Sequence, residues 1–231
     1  MGRVSVNGEV VTKLPVLVDV EVDKIEVDGE PVKFKNVPSA KRVYILMNKP
    51  GGVFCTNVAQ GMQRRAIDLL PPDFPFRVYP VGRLDADSRG LLLLTNDGEM
   101  TNRLTHPRYG IIKKYIADVE GYVAGEAIEQ LNKGIWLADK AGHTFKTLPS
   151  RVQIINRGRD ESTLELTIRE GRNREVRRML ADIGHNVTRL TRIQMGKLTL
   201  KGVGPGKWRF LTPQEVRSLQ RETHRPAPTR D

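Results

Sequence analysis

Cysteine is almost absent from this chain. Cys55 stands alone among 231 residues, so an intramolecular disulfide is impossible and a reducing compartment is expected. Long apolar runs are missing as well. None approaches the roughly 18 residues that cross a bilayer, and the N-terminus lacks the basic-then-apolar pattern of a secretion signal. A soluble cytoplasmic protein with no membrane contact is therefore expected. Histidine is scarce and scattered. His106, His143, His185 and His224 lack metal-ligand spacing, which argues against zinc. The GPGK around Lys207 has neither the preceding glycine nor the following Ser or Thr of a phosphate-binding P-loop. No histidine near Cys55 could activate it as a nucleophile.

Positive charge is abundant. The formal net charge is +11 and the pI about 9.9, which favours a polyanionic partner through phosphate neutralisation and counterion release. The surplus is uneven. Residues 1–37 hold five Lys/Arg and seven Asp/Glu, a net of −2, and the remaining residues hold +13. A polyanion is therefore expected to bind mainly outside the N-terminal segment.

Turn and periodicity signals divide the chain. Val4 and Val6 alternate with polar residues, and Asn7-Gly8 and Asp28-Gly29 are hairpin turn signals. This segment has too few large apolar groups for a core of its own. Strands are expected over Val43 to Met47, Leu91 to Leu94, Lys114 to Val119, Val152 to Ile155, Leu164 to Ile168 and Val187 to Ile193. Helices are expected over Ala66 to Leu70, Gly98 to Leu104 and Ala124 to Lys133, the last ending at Gly134. Another should follow Asn173 as N-cap, with Val176, Met179, Leu180 and Ile183 on one face. Thr212-Pro213-Gln214-Glu215 is a capping box that starts a last helix. Strands outnumber helices and do not alternate strictly with them. The expected class is α+β with a central mixed, largely antiparallel sheet. Its divisions are residues 1–38 (N-terminal segment and linker), 39–217 (main domain) and 218–231 (disordered basic tail).

Two stretches carry chemistry. VGRLDADSRGLLLLTNDGE, Val81 to Glu99, places Asp85 in a Gly- and Arg-rich turn that opens onto an apolar strand. Asp85 and Asp87 imitate the start of a calcium loop, but Arg89 and Asn96 occupy later ligand positions, so calcium is not supported. REGRNREVRRM, Arg169 to Met179, holds five arginines and two glutamates. Arg174, Arg177 and Arg178 are spaced i, i+3 and i+4, so they share a helix face, either solvated or turned toward an anion. Arg177 adjoins Val176 on the apolar stripe and is the best candidate for a partly buried partner of an acid.

GRLDADSRGLLLLTNDGE resembles the catalytic signature of pseudouridine synthases, in the branch that modifies single uridines of ribosomal RNA. The resemblance extends from about Arg42 to Arg217. It includes LMNKPGGVFCT, KKYIADVEG, EGRNREVRRML and GHNVTRLTRIQMGKLTL, in order. The large-subunit enzyme is resembled more than the small-subunit one. GRVSVNGEVV near the N-terminus resembles the second half of an S4 RNA-binding domain, without the two basic helices that open such domains.

The resemblance implies that a uridine is isomerised in place, without a cofactor, by Asp85. Arg177 matches the arginine paired with that acid, Tyr115 the tyrosine stacked on the target base, and Leu190 an apolar residue packed against it. The base must leave its stack, so a basic surface is expected to grip flanking phosphates. Arg83, Arg89, Lys113, Lys114, Arg172, Arg174 and Arg178 are candidates. The implied partner is ribosomal RNA, probed free or in a pre-ribosomal particle, and a monomer is expected. Two alternatives stay open: a non-catalytic RNA-binding assembly protein, and a base-excising glycosidase using Asp87 or Asp97 as a second carboxylate.

Overall fold

A computed structural model describes residues 2–13, 16, 18–19, 22–32, 41–59, 61–139 and 141–223. Two compact units divide the chain, Met1–Lys41 and Arg42–Asp231. The expected boundary at Pro38-Ser39 lies outside the described residues.

The first unit holds four short strands: β1 (Val4–Val6), β2 (Glu9–Val10), β3 (Ile25–Val27) and β4 (Glu30–Pro31). They form one antiparallel sheet in the order β2-β1-β3-β4. Asn7-Gly8 and Asp28-Gly29 take positive φ at both positions, which matches the right-handed twist of the flanking strands. No described residue of this unit before Lys41 is buried, in keeping with its few large apolar groups.

The second unit is built on a nine-stranded sheet. Its strands are β5 (Tyr44–Lys49), β6 (Tyr79–Pro80), β7 (Arg89–Thr95), β8 (Lys113–Glu120), β11 (Arg151–Arg157), β12 (Glu161–Ile168), β13 (Val187–Met195), β14 (Leu198–Thr199) and β15 (Trp208–Phe210). β9 (Trp136–Ala138) and β10 (Thr144–Lys146) form a separate hairpin. The main order is β11-β12-β8-β13-β7-β5-β15, with β14 beside β13 and β6 beside β7. Every pairing is antiparallel except β7 with β13, so the sheet is mixed and largely antiparallel.

Helices cover both faces of this sheet. They are α1 (Gly98–Thr105), α2 (Gly125–Lys133), α3 (Glu175–Asp182) and α4 (Pro213–Thr223). Leu92 and Leu94 pack with Val176, Met179 and Leu180 of α3 and Leu131 of α2. Leu91 and Leu93 point the other way and pack with Met100 and Leu104 of α1 and Leu219 of α4. β7 is thus buried on both faces, which is why its sequence is a continuous leucine run rather than an alternation. Each buried leucine contributes about 1.5–3 kcal/mol relative to exposure.

Beyond shifts of one to three residues at other element ends, two boundaries differ from expectation. The N-cap of α3 is Arg174, at φ 50, and not Asn173. The last helix runs through Thr223, so residues 218–223, expected in a disordered tail, are helical. Residues 224–231 lie outside the described set. The capping box forms as expected: Glu215 N donates to Thr212 Oγ1, and Thr212 N donates to Glu215 Oε2 at 2.8 Å.

Candidate active site

The turn that carries Asp85 joins β6 to β7, and it is strapped from beneath. Lys49 ends β5 fully buried, and its Nζ donates to the carbonyls of Pro50, Val53 and Ala86 at 2.9, 2.8 and 3.2 Å. Gly52 N donates to Ala86 O at 2.8 Å, and Leu84 N to Cys55 Sγ at 3.4 Å. Burial pulls the Lys49 ammonium below its ordinary value, and the charges of Asp87 and Asp85 oppose that pull. The residues flanking Asp85 are therefore held from both sides, which fixes where its carboxylate can stand.

A close approach of two strands brings the rest of the site to this turn. The parallel contact pairs Thr191 with Arg89 and Arg192 with Gly90. Gly90 takes φ 101, and a Cβ there would stand 2.2 Å from Arg192 O. Only glycine admits β13 this close. β13 pairs in turn with β8, setting Leu190 opposite Ala117 and Arg192 opposite Tyr115.

The result is a cavity of about 400 Å³ between the Asp85 turn, β8, β13 and the start of α3. Asp85, Tyr115, Leu190, Arg83, Lys113, Arg172 and Arg174, all named from the sequence, line it. Tyr115 and Leu190 are buried, 7% and 6% exposed, and form the apolar wall.

The other four candidates stand elsewhere. Arg177 is engaged with Asp87. Arg89 is exposed, and its guanidinium lies near Gly51. Lys114 pairs with Glu165 at 2.9 Å. Arg178 donates to Ala138 O on β9 and lies over the Phe145 ring, which also carries Arg172 at 4.0 Å.

The charge pairing departs from the sequence reading. Arg174 Nη1 donates to Asp85 Oδ2 at 3.2 Å and lies 3.9 Å from Asp87. Arg177 Nη2 lies 3.0 Å from Asp87, its Nη1 donates to Val187 O at 2.9 Å, and its buried Nε has no hydrogen-bond partner. The expected Arg177–Asp85 pair is thus replaced by two pairs. The reason is the left-handed turn at Arg174, which throws that side chain across to Asp85, while Arg177 lies further along the helix beneath Asp87. Arg177 is the more buried of the two, as its place beside Val176 predicts: its side chain is 10% exposed against 47%.

Of the two acids considered as water-activating partners, Asp87 is held by these arginines. Asp97 is buried as the N-cap of α1, accepting from Met100 N and from Tyr44 Oη. Asp97 is thus committed to the helix start, while Asp87 keeps an exposed side chain.

Arg192, Glu175 and Met195 are among the lining residues that were not foreseen. Arg192 is 3% exposed, and its Nε donates to Leu91 O at 2.8 Å. Its signal was available, because it shares the Leu190 face of β13 by simple alternation. Glu175 is also buried, and its Oε2 accepts from Arg172 N at 2.8 Å. Burial, then the neighbouring Glu170 carboxylate, pushes Glu175 up to about 8. Burial, then the Arg192 guanidinium, pulls Lys113 down to about 8.

An acid under a guanidinium, a buried tyrosine and a basic rim form a site for a planar polar group joined to a phosphodiester chain. Residues 43–182 match the family model described as RNA pseudouridylate synthase. The chain belongs to the RNA pseudouridylate synthase family. An RNA pseudouridine synthase of Aquifex aeolicus, itself uncharacterised, is 45% identical over 219 residues, covering 94% of this chain and 84% of that protein. Ribosomal large subunit pseudouridine synthase B of Bacillus subtilis is 43% identical over 222 residues, covering 95% and 86%. A pseudouridylate synthase crystal structure superposes with a TM-score of 0.71 at 29% identity, covering 94% of this chain and 89% of that one. The sheet described above is thus a pseudouridylate synthase fold, and the family's chemistry is an isomerisation on RNA. Asp85, Tyr115, Arg174, Arg177 and Leu190 all fall within the matched region or just beyond its end.

Proposed function

We propose that the protein converts a specific uridine of ribosomal RNA, in the large-subunit 23S molecule, to pseudouridine, with Asp85 as its single catalytic carboxylate. The observation that carries this is the convergence on one cavity of Asp85, Tyr115 and Leu190, from three separate elements, with a guanidinium on the acid. The similarity to a large-subunit enzyme supports the choice of RNA.

The reaction breaks the bond from ribose C1′ to uracil N1, turns the base, joins C1′ to C5, and moves the C5 proton to N1. Nothing is oxidised and no group is transferred to or from water, so no cofactor is required. Asp85 acts at the ribose, as nucleophile or as base, in its charged form. The contact with Arg174 orients its carboxylate. Tyr115 stacks on the extruded base and Leu190 packs against it. Arg177 serves the site through its ion pair with Asp87. Extruding the base costs a few kcal/mol of stacking, which phosphate contacts offset. Arg83, Arg172 and Lys113 stand at the cavity for this purpose, and Arg89, Lys114 and Arg178 lie outside it. The protein works as a cytoplasmic monomer on rRNA or a pre-ribosomal particle.

Mapping pseudouridines in rRNA from cells with and without the protein tests this. One 23S uridine should lose its modification without the protein and regain it with the purified enzyme. An unchanged map would refute the proposal.

A further inference from the structure

The cavity also has a cationic end, which takes no part in the bond changes at Asp85. Lys113 and Tyr115 sit two residues apart on β8, and Arg192 is directly opposite Tyr115 on β13, so all three face the same way. Lys113 Nζ makes a single hydrogen bond, to Glu170 O at 3.3 Å, and among the described residues it forms no ion pair within 4 Å. Gly171 leaves the ammonium its room, since a Cβ there would stand 3.4 Å from Nζ. Arg192 spends Nε on Leu91 O, and its buried Nη2 has no hydrogen-bond partner.

Two cations therefore share one end of a cavity with no carboxylate bonded to either. The nearest acids are already committed. Glu170 receives the Leu148 amide and the Arg172 guanidinium, and Glu175 receives the Arg172 amide; both act on Lys113 through their charge, without a hydrogen bond or ion pair from its ammonium to either carboxylate. A buried guanidinium nitrogen without a bonded partner is costly, and an arriving anion would supply one.

We infer that Lys113 and Arg192 form a built subsite for one phosphodiester of the RNA, the one adjoining the uridine that enters the cavity. This rests on the isomerase reading above and extends it. The phosphates gripped by the outer arginines would add affinity anywhere along the strand. A phosphate seated between Lys113 and Arg192 would instead fix how far the ribose enters, and so set C1′ against Asp85. Lys113 and Arg192 are thus positioning residues, and Asp85 remains the group that reacts.

The test uses the full-length protein and a synthetic stem-loop carrying the mapped uridine, with single neutral methylphosphonate linkages placed in turn along the loop. Binding is titrated against salt and turnover is followed separately. Lys113→Gln should flatten the slope of log K against log salt by about 0.7, the signature of one lost phosphate contact. One neutral linkage beside the uridine should flatten the wild-type slope equally and add nothing in Lys113→Gln. Because the linkage alters only the RNA, the result does not depend on how a variant folds. If wild type forms product but every linkage penalises wild type and Lys113→Gln alike, the subsite is refuted while the isomerase reading stands. If wild type forms no product on any rRNA, the isomerase reading fails, and this proposal fails with it.

Discussion

Arg174 reaches Asp85 from the left-handed residue that starts α3, with Nη1 3.2 Å from Oδ2. A side chain at φ 50 is strained unless it is glycine, asparagine or aspartate, at a cost of about 1–2 kcal/mol. The fold tolerates that strain at a residue whose guanidinium lies on the proposed catalytic acid. Strain kept at such a point is consistent with a functional role.

Arg174→Gly should therefore separate stability from activity. Glycine relieves the strain and makes an acceptable N-cap, and the ion pair it removes is half-exposed and worth about 0–1 kcal/mol. The melting temperature should hold or rise, while kcat falls about tenfold or more, or ~1.4 kcal/mol. Arg177→Ala should do the opposite to stability. It removes a buried donor from Val187 O, worth about 1.5–3 kcal/mol for a charged hydrogen bond, so the protein should melt several degrees lower. Thermal melts with steady-state kinetics on both variants check the pair. Equal loss of stability in the two would contradict the geometry.

Gly90→Ala should be among the most damaging single substitutions. Its Cβ would overlap Arg192 O at 2.2 Å, and φ 101 is hostile to any side chain. The expected cost exceeds about 3 kcal/mol, or roughly 6–12 °C in melting temperature for a chain of this size. A melt within a degree or two of wild type would show that β7 and β13 can part without harm.

How legible all this is in the sequence depends on what each residue faces. Leu91 to Leu94 reads as a buried strand because both faces are covered, and Asn7-Gly8 reads as a turn because few other pairs accept two positive φ angles. The Trp136 hairpin and the Trp208 edge strand are harder. They are short and partly exposed, so neither periodicity nor a continuous apolar run marks them. Helix spacing puts Arg174 and Arg177 near the acids but cannot say which pairs with which. That depends on a left-handed N-cap, for which arginine is an unusual choice and Asn173 the obvious one. The burial of Arg192 depends on β7 lying parallel to β13, a contact between residues about a hundred apart that local sequence does not encode.

Glu175 makes stability depend on pH. Its folded-state value of about 8 lies above its ordinary 4.5, so folding favours the protonated form. That contribution is complete below about pH 4.5 and is lost as the pH rises through 8. Urea midpoints of the wild type should fall between pH 5 and pH 8, and those of Glu175→Gln should fall less. Lys113 has the opposite sense, since its depressed value lets stability recover only above pH 8, outside this window. Parallel curves for wild type and Glu175→Gln would contradict the buried, protonated state of Glu175.

The most direct measurement concerns Asp85. Asp85→Asn is nearly isosteric and keeps a polar neighbour for Arg174, so folding and RNA affinity should stay close to wild type. Pseudouridine formed at the mapped uridine should fall by more than about a hundredfold. Undiminished product from Asp85→Asn would contradict the central claim that this one carboxylate carries the reaction.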